Sequence, residues 1–185
     1  MYIFLKVLNE YDGIIGTILG VVATLITTDW LQHRGKLNIF IMKWTGKYET
    51  YYDVGCSHKG KEETDLYGYC NEFEIEVYNS SSIPKIMRNV KIEFYDNKEL
   101  KYSNEIKDED TRRYTSHITT IDKFEVINFK PKEVVKLKLS NYIHEDELIE
   151  IEGTNRIFLT YVDENNKKNK ILIHNGLITS KNLKE

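Results

Sequence analysis

The sequence has few of the residues that would announce a function. Only two cysteines occur in 185 residues, which cannot make a disulfide-dense secreted scaffold. Two prolines and ten glycines are about half the usual share, so long flexible linkers are excluded. Basic residues are outnumbered, with 26 Lys and Arg against 29 Asp and Glu, so no global positive field calls for nucleic acid. No Walker loop, H-E-x-x-H, G-x-S-x-G or G-x-G-x-x-G is present. The five histidines, at 33, 58, 117, 144 and 174, are scattered. These absences predict a non-enzyme with no catalytic residue, no metal and no cofactor.

What is present is unevenly spread. Residues 13–28 read GIIGTILGVVATLITT, sixteen residues without a charge, and no other charge-free run exceeds ten. As a helix the run covers ~24 Å, and from Tyr11 to Trp30 it covers about 28 Å, close to the ~30 Å hydrocarbon core. Tyr11, Trp30 and Arg34 then lie where membrane interfaces favour them. A cleavable signal peptide lacks support, because the first twelve residues are not basic and no A-x-A follows. A buried helix of a water-soluble protein is the stronger rival. The expectation is an N-terminal tail and single transmembrane helix (about 11–31) within residues 1–35. Lys6 precedes the span, whereas Arg34, Lys36, Lys43 and Lys47 follow it. That bias predicts a single-pass protein of the cell inner (plasma) membrane, with its N-terminus out and its C-terminal domain cytoplasmic.

Within the span Gly16 and Gly20 form G-x-x-x-G, continued by Thr24 and Thr28. Such a stripe lets a second helix backbone approach, with threonine hydroxyls available for interhelical bonds. Gly16, Gly20 and Thr24 are therefore the candidate helix-association residues.

From residue 36 the periodicity becomes alternating, as in half-buried strands. Leu37, Ile39 and Ile41 alternate with Asn38, Phe40 and Met42; Phe73, Ile75 and Val77 with Glu74, Glu76 and Tyr78; Val90, Ile92 and Phe94 with Lys91, Glu93 and Tyr95. Further strand faces are Phe124 and Val126, then Val135, Leu137 and Leu139, then Ile157, Leu159 and Tyr161, then Ile171 and Ile173. Turns are expected at Asn79–Pro84 and, as a hairpin loop, at Asp163–Asn169. One short helix is expected within His144–Glu152, and Glu105–Arg113 reads as an exposed charged loop. Seven or eight strands in residues 36–185 predict an antiparallel β-sandwich, with a closed β-barrel as the alternative.

The single span leading into strands, followed by FEIEVYNSSSIPKIMRNVKIEFYD, INFKPKEVVKLKL and IFLTYVDENNKKNKILI, resembles the small bacterial single-span membrane proteins with a C-terminal immunoglobulin-like β-sandwich domain. The resemblance rests on strand patterning and on a strand that ends in Asn79 before a Pro84 turn. It implies an interaction or sensing role, since some such proteins accompany phage-defence or envelope-stress systems, and it carries no functional residues across.

Two further features bear on function. Cys56 and Cys70 could form a disulfide, or with His58 a partial zinc set. A cytoplasmic address favours free thiols, and the spacing matches no common structural zinc pattern. Tyr48, Tyr51, Tyr52, Tyr67 and Tyr69 crowd one third of the domain, interleaved with lysines. Tyrosine is enriched at interfaces, so these five mark the candidate partner or ligand surface, although β-propensity also favours tyrosine there. The neighbouring Asp53, Glu62, Glu63 and Asp65 argue against nucleic acid. The expected function is a membrane-anchored interaction or sensor protein whose β-domain binds a protein partner, a second copy or a small-molecule ligand. The alternative is an oligomerising membrane effector that perturbs the bilayer when its β-domain is triggered.

Overall fold

The computed structural model describes residues 12–116 and 118–180. Helix α1 (Asp12–His33) contains the charge-free run. It has no polar face to turn to water, and none of its apolar stretch, Gly13–Leu31, is buried. By length and composition this helix could cross a membrane. Among the described residues no part of the chain buries this stretch, so it is not a core helix of its own β-domain.

Among the described residues after 36 the chain is mainly antiparallel sheet, with two short helices in its connections. In chain order the elements are β1 (Leu37–Thr50), α2 (Tyr51–Val54), β2 (Leu66–Asn79), β3 (Lys85–Asp96), β4 (Glu99–Glu105), β5 (Lys107–Asp108), β6 (Arg113–Thr115), β7 (Ile118–Thr120), β8 (Val126–Phe129), β9 (Val134–His144), α3 (Leu148–Ile151), β10 (Arg156–Val162) and β11 (Lys168–Asn175). One sheet has the order β1-β2-β9-β5; a second has β11-β10-β3-β4, with β8 pairing the first residues of β3; and β6 and β7 form a separate two-stranded ribbon. Both orders are open at their ends, so among the described residues there is no closed barrel.

The alternation of each strand decides which side is dry. Phe73, Ile75 and Val77 of β2, Leu137, Leu139 and Ile143 of β9, Val90, Ile92 and Phe94 of β3, and Ile157 and Leu159 of β10 join one hydrophobic core. Trp44 of β1 stacks on His174 of β11 with ring centroids 3.8 Å apart, tying the edge of one sheet to the edge of the other. Burial lowers the pKa of that imidazole, which favours the neutral ring in this stack.

The outer face of the first sheet is charged and self-compensating. Glu74 and Glu76 of β2 lie opposite Lys138 and Lys136 of β9, and Glu74 also faces Lys43 of β1. A buried glutamate, Glu93, takes hydrogen bonds from Lys168 (2.5 Å) and the Tyr95 hydroxyl (2.9 Å). Burial works against its charge, but these partners hold its pKa below the usual carboxylate value.

Several expectations need correcting. Phe124 and Val126 do not share a strand face: β8 begins at Val126, which is exposed, while Phe124 and Phe129 are buried. Strand β4 was missed because ELKYSNE is an edge strand with no apolar alternation; only Tyr102 of its residues packs on the core. Glu105–Arg113 is not a plain loop, since Ile106 is fully buried and anchors β5 and a 3-10 turn at Glu109–Thr111. The segment after His144 is helical as expected, a 3-10 turn at Glu145–Glu147 running into α3.

Where the helix meets the sheets, the chain is pinned. Asn79, fully buried at the end of β2, donates its amide to the carbonyls of Ile83 (2.9 Å), Lys130 (3.0 Å) and Phe129 (3.2 Å). Its oxygen accepts from the Ser81 backbone N–H (3.0 Å) and hydroxyl (2.7 Å). The turn held in this way grips the helix connection, because the Lys36 N–H donates to the Ser80 hydroxyl and the Ser80 hydroxyl donates to the Lys36 carbonyl. Gly35 has φ +125°, and a β-carbon there would lie 2.6 Å from the Ser81 Cα, so only glycine passes at that point.

Candidate functional site

The register places two groups of loops at opposite ends of the β-domain. Leu37 pairs with Asn79 and Val134 with Tyr78, so the helix junction lies beside the turns at 80–84 and 130–133. Val162 pairs with both Arg88 and Lys168, which brings the 163–167 hairpin to the same end. The far end carries the connections 51–65, 97–98, 145–155 and the segment after β11.

At the far end the chain forms an open cleft of about 670 Å³ lined by Tyr51, His58, Tyr67, His144, Glu145, Asp146 and Glu147. Local signals build each wall. Thr50 and Asp53 form a capping box that starts α2, and Gly55 in the left-handed region (φ +66°) ends it, which sets Tyr51 at the first helical position. Tyr67 enters β2 beside it. His144 closes β9, and the three acids follow at once on the 3-10 turn.

The rings form a continuous ladder. Tyr51 meets Tyr67 edge-on at 5.1 Å, Tyr67 lies 6.3 Å from Tyr142, and Tyr142 meets His144 at 5.1 Å. Gly68 makes this possible, because a β-carbon there would fall 2.2 Å from the Tyr142 hydroxyl. The acids form the second wall. The Tyr51 hydroxyl donates to Glu145 at 2.9 Å, and Lys61 pairs with the same carboxylate at 3.1 Å. Lys61 and then Tyr51 hold the Glu145 pKa below its ordinary value, while burial and then Glu145 push the Tyr51 hydroxyl up. The cleft is therefore an aromatic floor beside fixed negative charge. Such a surface suits a cationic group, through ring faces and carboxylates together. Among the described residues no three His, Cys, Asp or Glu side chains converge as a metal set.

The five predicted tyrosines divide. Tyr48 and Tyr69 are buried and pack on each other at 4.7 Å, so they belong to the core and offer no partner surface. The Tyr48 hydroxyl donates to Glu152 at 2.9 Å. Tyr51 is also buried, though it meets the cleft, Tyr67 is half-buried in it, and Tyr52 alone is largely exposed, at 75 %. Sequence reading missed Tyr142, His144 and Glu145–Glu147, which lie some 75 residues downstream of Tyr67. Their one signal was the run HEDE, which reads locally as a helix start.

Cys56 is exposed and Cys70 half-buried, and both are free thiols. Burial, then the charges of Glu49, Glu72 and Glu109, pushes the Cys70 thiol up to about 11.

On the helix, a β-carbon at Gly16 or Gly20 would meet nothing within 4 Å, so the stripe is open. The Thr24 hydroxyl is turned inward, donating to the Gly20 carbonyl at 2.8 Å, and is thereby committed to its own helix. Trp30 is exposed and Arg34 stacks over its ring at 4.9 Å. Tyr11 lies outside the described residues.

Comparison with known proteins identifies the β-domain. The model of the YopI Ig-like domain matches residues 35–174. The SPbeta prophage-derived uncharacterized protein YopI of Bacillus subtilis (strain 168) is 28 % identical over 169 residues, which is 91 % of this chain and 96 % of that protein. Among solved structures, a protein from Archaeoglobus fulgidus aligns with TM-score 0.41 and 11 % identity, covering 77 % of this chain and 98 % of its own. A FixG-related protein from Vibrio parahaemolyticus aligns with TM-score 0.39 and 12 % identity, covering 79 % and 96 %.

Proposed function

Because the chain belongs to the YopI Ig-like domain family, we propose that it is a non-enzymatic, membrane-anchored interaction protein whose two sheets form an immunoglobulin-like sandwich. In this reading α1 is a single transmembrane span with its N-terminus outside, and the β-domain is cytoplasmic. The domain binds a cationic segment of a partner in the far-end cleft. One observation carries the binding role: Tyr51, Tyr67, Tyr142 and His144 form an aromatic ladder directly against Glu145–Glu147, at the end of the domain remote from the helix. An anchor at one end and a recognition cleft at the other suit a tether that confines a partner to the bilayer surface.

The test is a titration of the full chain in detergent micelles with a lysine-rich peptide and with its glutamate-substituted counterpart. The lysine peptide is expected to bind, and Asp146→Asn with Glu147→Gln to weaken it by about tenfold, as for the loss of charge-assisted contacts. Equal affinity for the two peptides, or no effect of the double variant, refutes the cleft as the binding site.

The open glycine stripe of α1 supports a second reading, an effector that clusters through Gly16 and Gly20 once the cleft is filled. The prophage origin stated in the name of the Bacillus relative lends support to a phage-related setting for either reading.

A further inference from the structure

The two ends of the β-domain differ in charge, and the difference is built by tertiary contacts. The far-end connections 51–65, 97–98, 145–155 and 176–180 hold three basic side chains against nine acidic ones. At the helix end, residues 34–36, 80–85, 130–133 and 163–167 hold six basic side chains against three acidic.

The three acids at the helix end are half-buried and each is engaged locally. Glu133 accepts the Lys130 backbone N–H at 2.7 Å. Asp163 accepts the backbone N–H groups of Asn165 and Lys167 and the side-chain amide of Asn169. Glu164 pairs with the buried Lys85. The other five cations, Arg34, Lys36, Lys130, Lys132 and Lys167, are exposed, Lys132 while donating to the Ser80 carbonyl at 2.6 Å. This end therefore carries a net positive charge, and its cations are more exposed than its half-buried acids. Val134, opposite Tyr78, and Phe40, opposite Glu76, add exposed apolar surface within the first four strand rows from the junction, at 52 % and 53 %.

The junction is also short and fixed. Four Cα steps from His33 to Leu37 span at most about 14 Å, and Ser80 and Ser81 hold the chain at Gly35 and Lys36. If α1 is inserted, these cations are held within about a Debye length or two of the headgroups.

We infer that the helix end of the β-domain docks on an anionic bilayer surface, with Lys36, Lys130, Lys132 and Lys167 on lipid headgroups. The far-end cleft is thereby aimed away from the membrane, toward partners in solution. Docking rests on the anchored reading above. Anionic lipid is the occupant the structure favours, because the basic patch is continuous with the helix that would enter the bilayer, and headgroup attraction acts on each lysine near the surface.

The full chain is reconstituted into vesicles of phosphatidylcholine alone and into vesicles containing about one third phosphatidylglycerol, an anionic content chosen to give a strong surface potential. Flotation after an alkaline carbonate wash comes first: a chain that fails to float refutes the anchor itself. For inserted chains, a brief treatment with a membrane-impermeant amine-acetylating reagent is read lysine by lysine by peptide mass spectrometry. Lys130, Lys132 and Lys167 are expected to react about threefold or more slowly on anionic vesicles at low salt and to recover at high salt, while Lys59 and Lys98 at the far end are unaffected. In Lys130→Gln with Lys167→Gln, the protection of Lys36 is expected to fall. Inserted protein whose lysines react equally on both vesicles overturns the proposal. So does protection by a short RNA on neutral vesicles in the absence of any effect of anionic lipid.

Discussion

Replacing Asn79 with alanine is the sharpest test of how the β-domain is held together at the helix junction. The side chain is completely buried and makes five hydrogen bonds, three as donor and two as acceptor. Its two N–H groups serve three carbonyls, and the one Ser81 hydroxyl proton is shared between Asn79 and the Ile83 carbonyl, so the independent loss is about three to four bonds, not five. At about 0.5–1.5 kcal/mol net for each bond, and more for any buried group left without a partner, the cost comes to about 3 kcal/mol. For a domain of this size, that lowers the melting temperature by about 6–12 °C. Thermal unfolding of the full chain in detergent micelles, followed by circular dichroism of the sheets, measures it. Asn79→Asp sharpens the test, because it keeps the acceptor for Ser81 but sets a carboxylate against three carbonyl oxygens. It is expected to cost at least as much as alanine at neutral pH. Both variants should also loosen the Lys36–Ser80 grip and speed tryptic cleavage at Arg34 and Lys36. A shift below about 2 °C for either variant would mean that the turn is held by something other than Asn79, and the reasoning would fail.

Two other outcomes follow from local geometry. Gly46→Ala would place a methyl 2.2 Å from the Tyr69 hydroxyl and 2.5 Å from the Trp44 ring, so it is expected to cost about 1–3 kcal/mol, read in the same melting experiment. Gly20→Ala meets nothing and should leave the melt of the sheets unchanged. With the Cys70 thiol near 11, its thiolate is about a hundredfold scarcer than at the ordinary value. Iodoacetamide at mildly alkaline pH should therefore alkylate Cys56 well before Cys70, and unfolding should erase the lag; equal rates in the folded chain would show that Cys70 is not shielded.

Much of the architecture was legible because it is written in short periods. The charge-free run at 13–28 can only be an apolar helix, and alternation at Phe73–Tyr78, Val90–Tyr95 and Val135–Leu139 set both the strands and the face each turns to the core. Asn79 and Pro84 marked a turn, and Asp163–Asn169 marked the β10–β11 hairpin. Strand β4 left no trace, since an edge strand touching the core through Tyr102 alone has no reason to alternate. Val126 was assigned to the wrong face because one residue of register inverts a strand, and nothing near Phe124 fixes that register.

The candidate site was legible only in fragments. Tyr51 and Tyr67 were visible as part of a tyrosine-rich stretch, but the same stretch contains Tyr48 and Tyr69, which pack in the core. Local composition cannot separate the two fates, because burial depends on what lies across the sheet. By itself, then, the sequence determined an apolar helix, a set of antiparallel strands with defined inner faces, and the turn at Asn79. Tertiary structure alone decided that β2 and β9 run side by side, bringing Tyr142, His144 and three acids against Tyr51 and Tyr67. It likewise decided that the acids at the helix end are half-buried against backbone groups and Lys85 while Lys36, Lys130, Lys132 and Lys167 are exposed. The physical reason is range: periodicity and turn chemistry act over a few residues, whereas cleft and charge polarity arise from pairings between strands far apart in the chain.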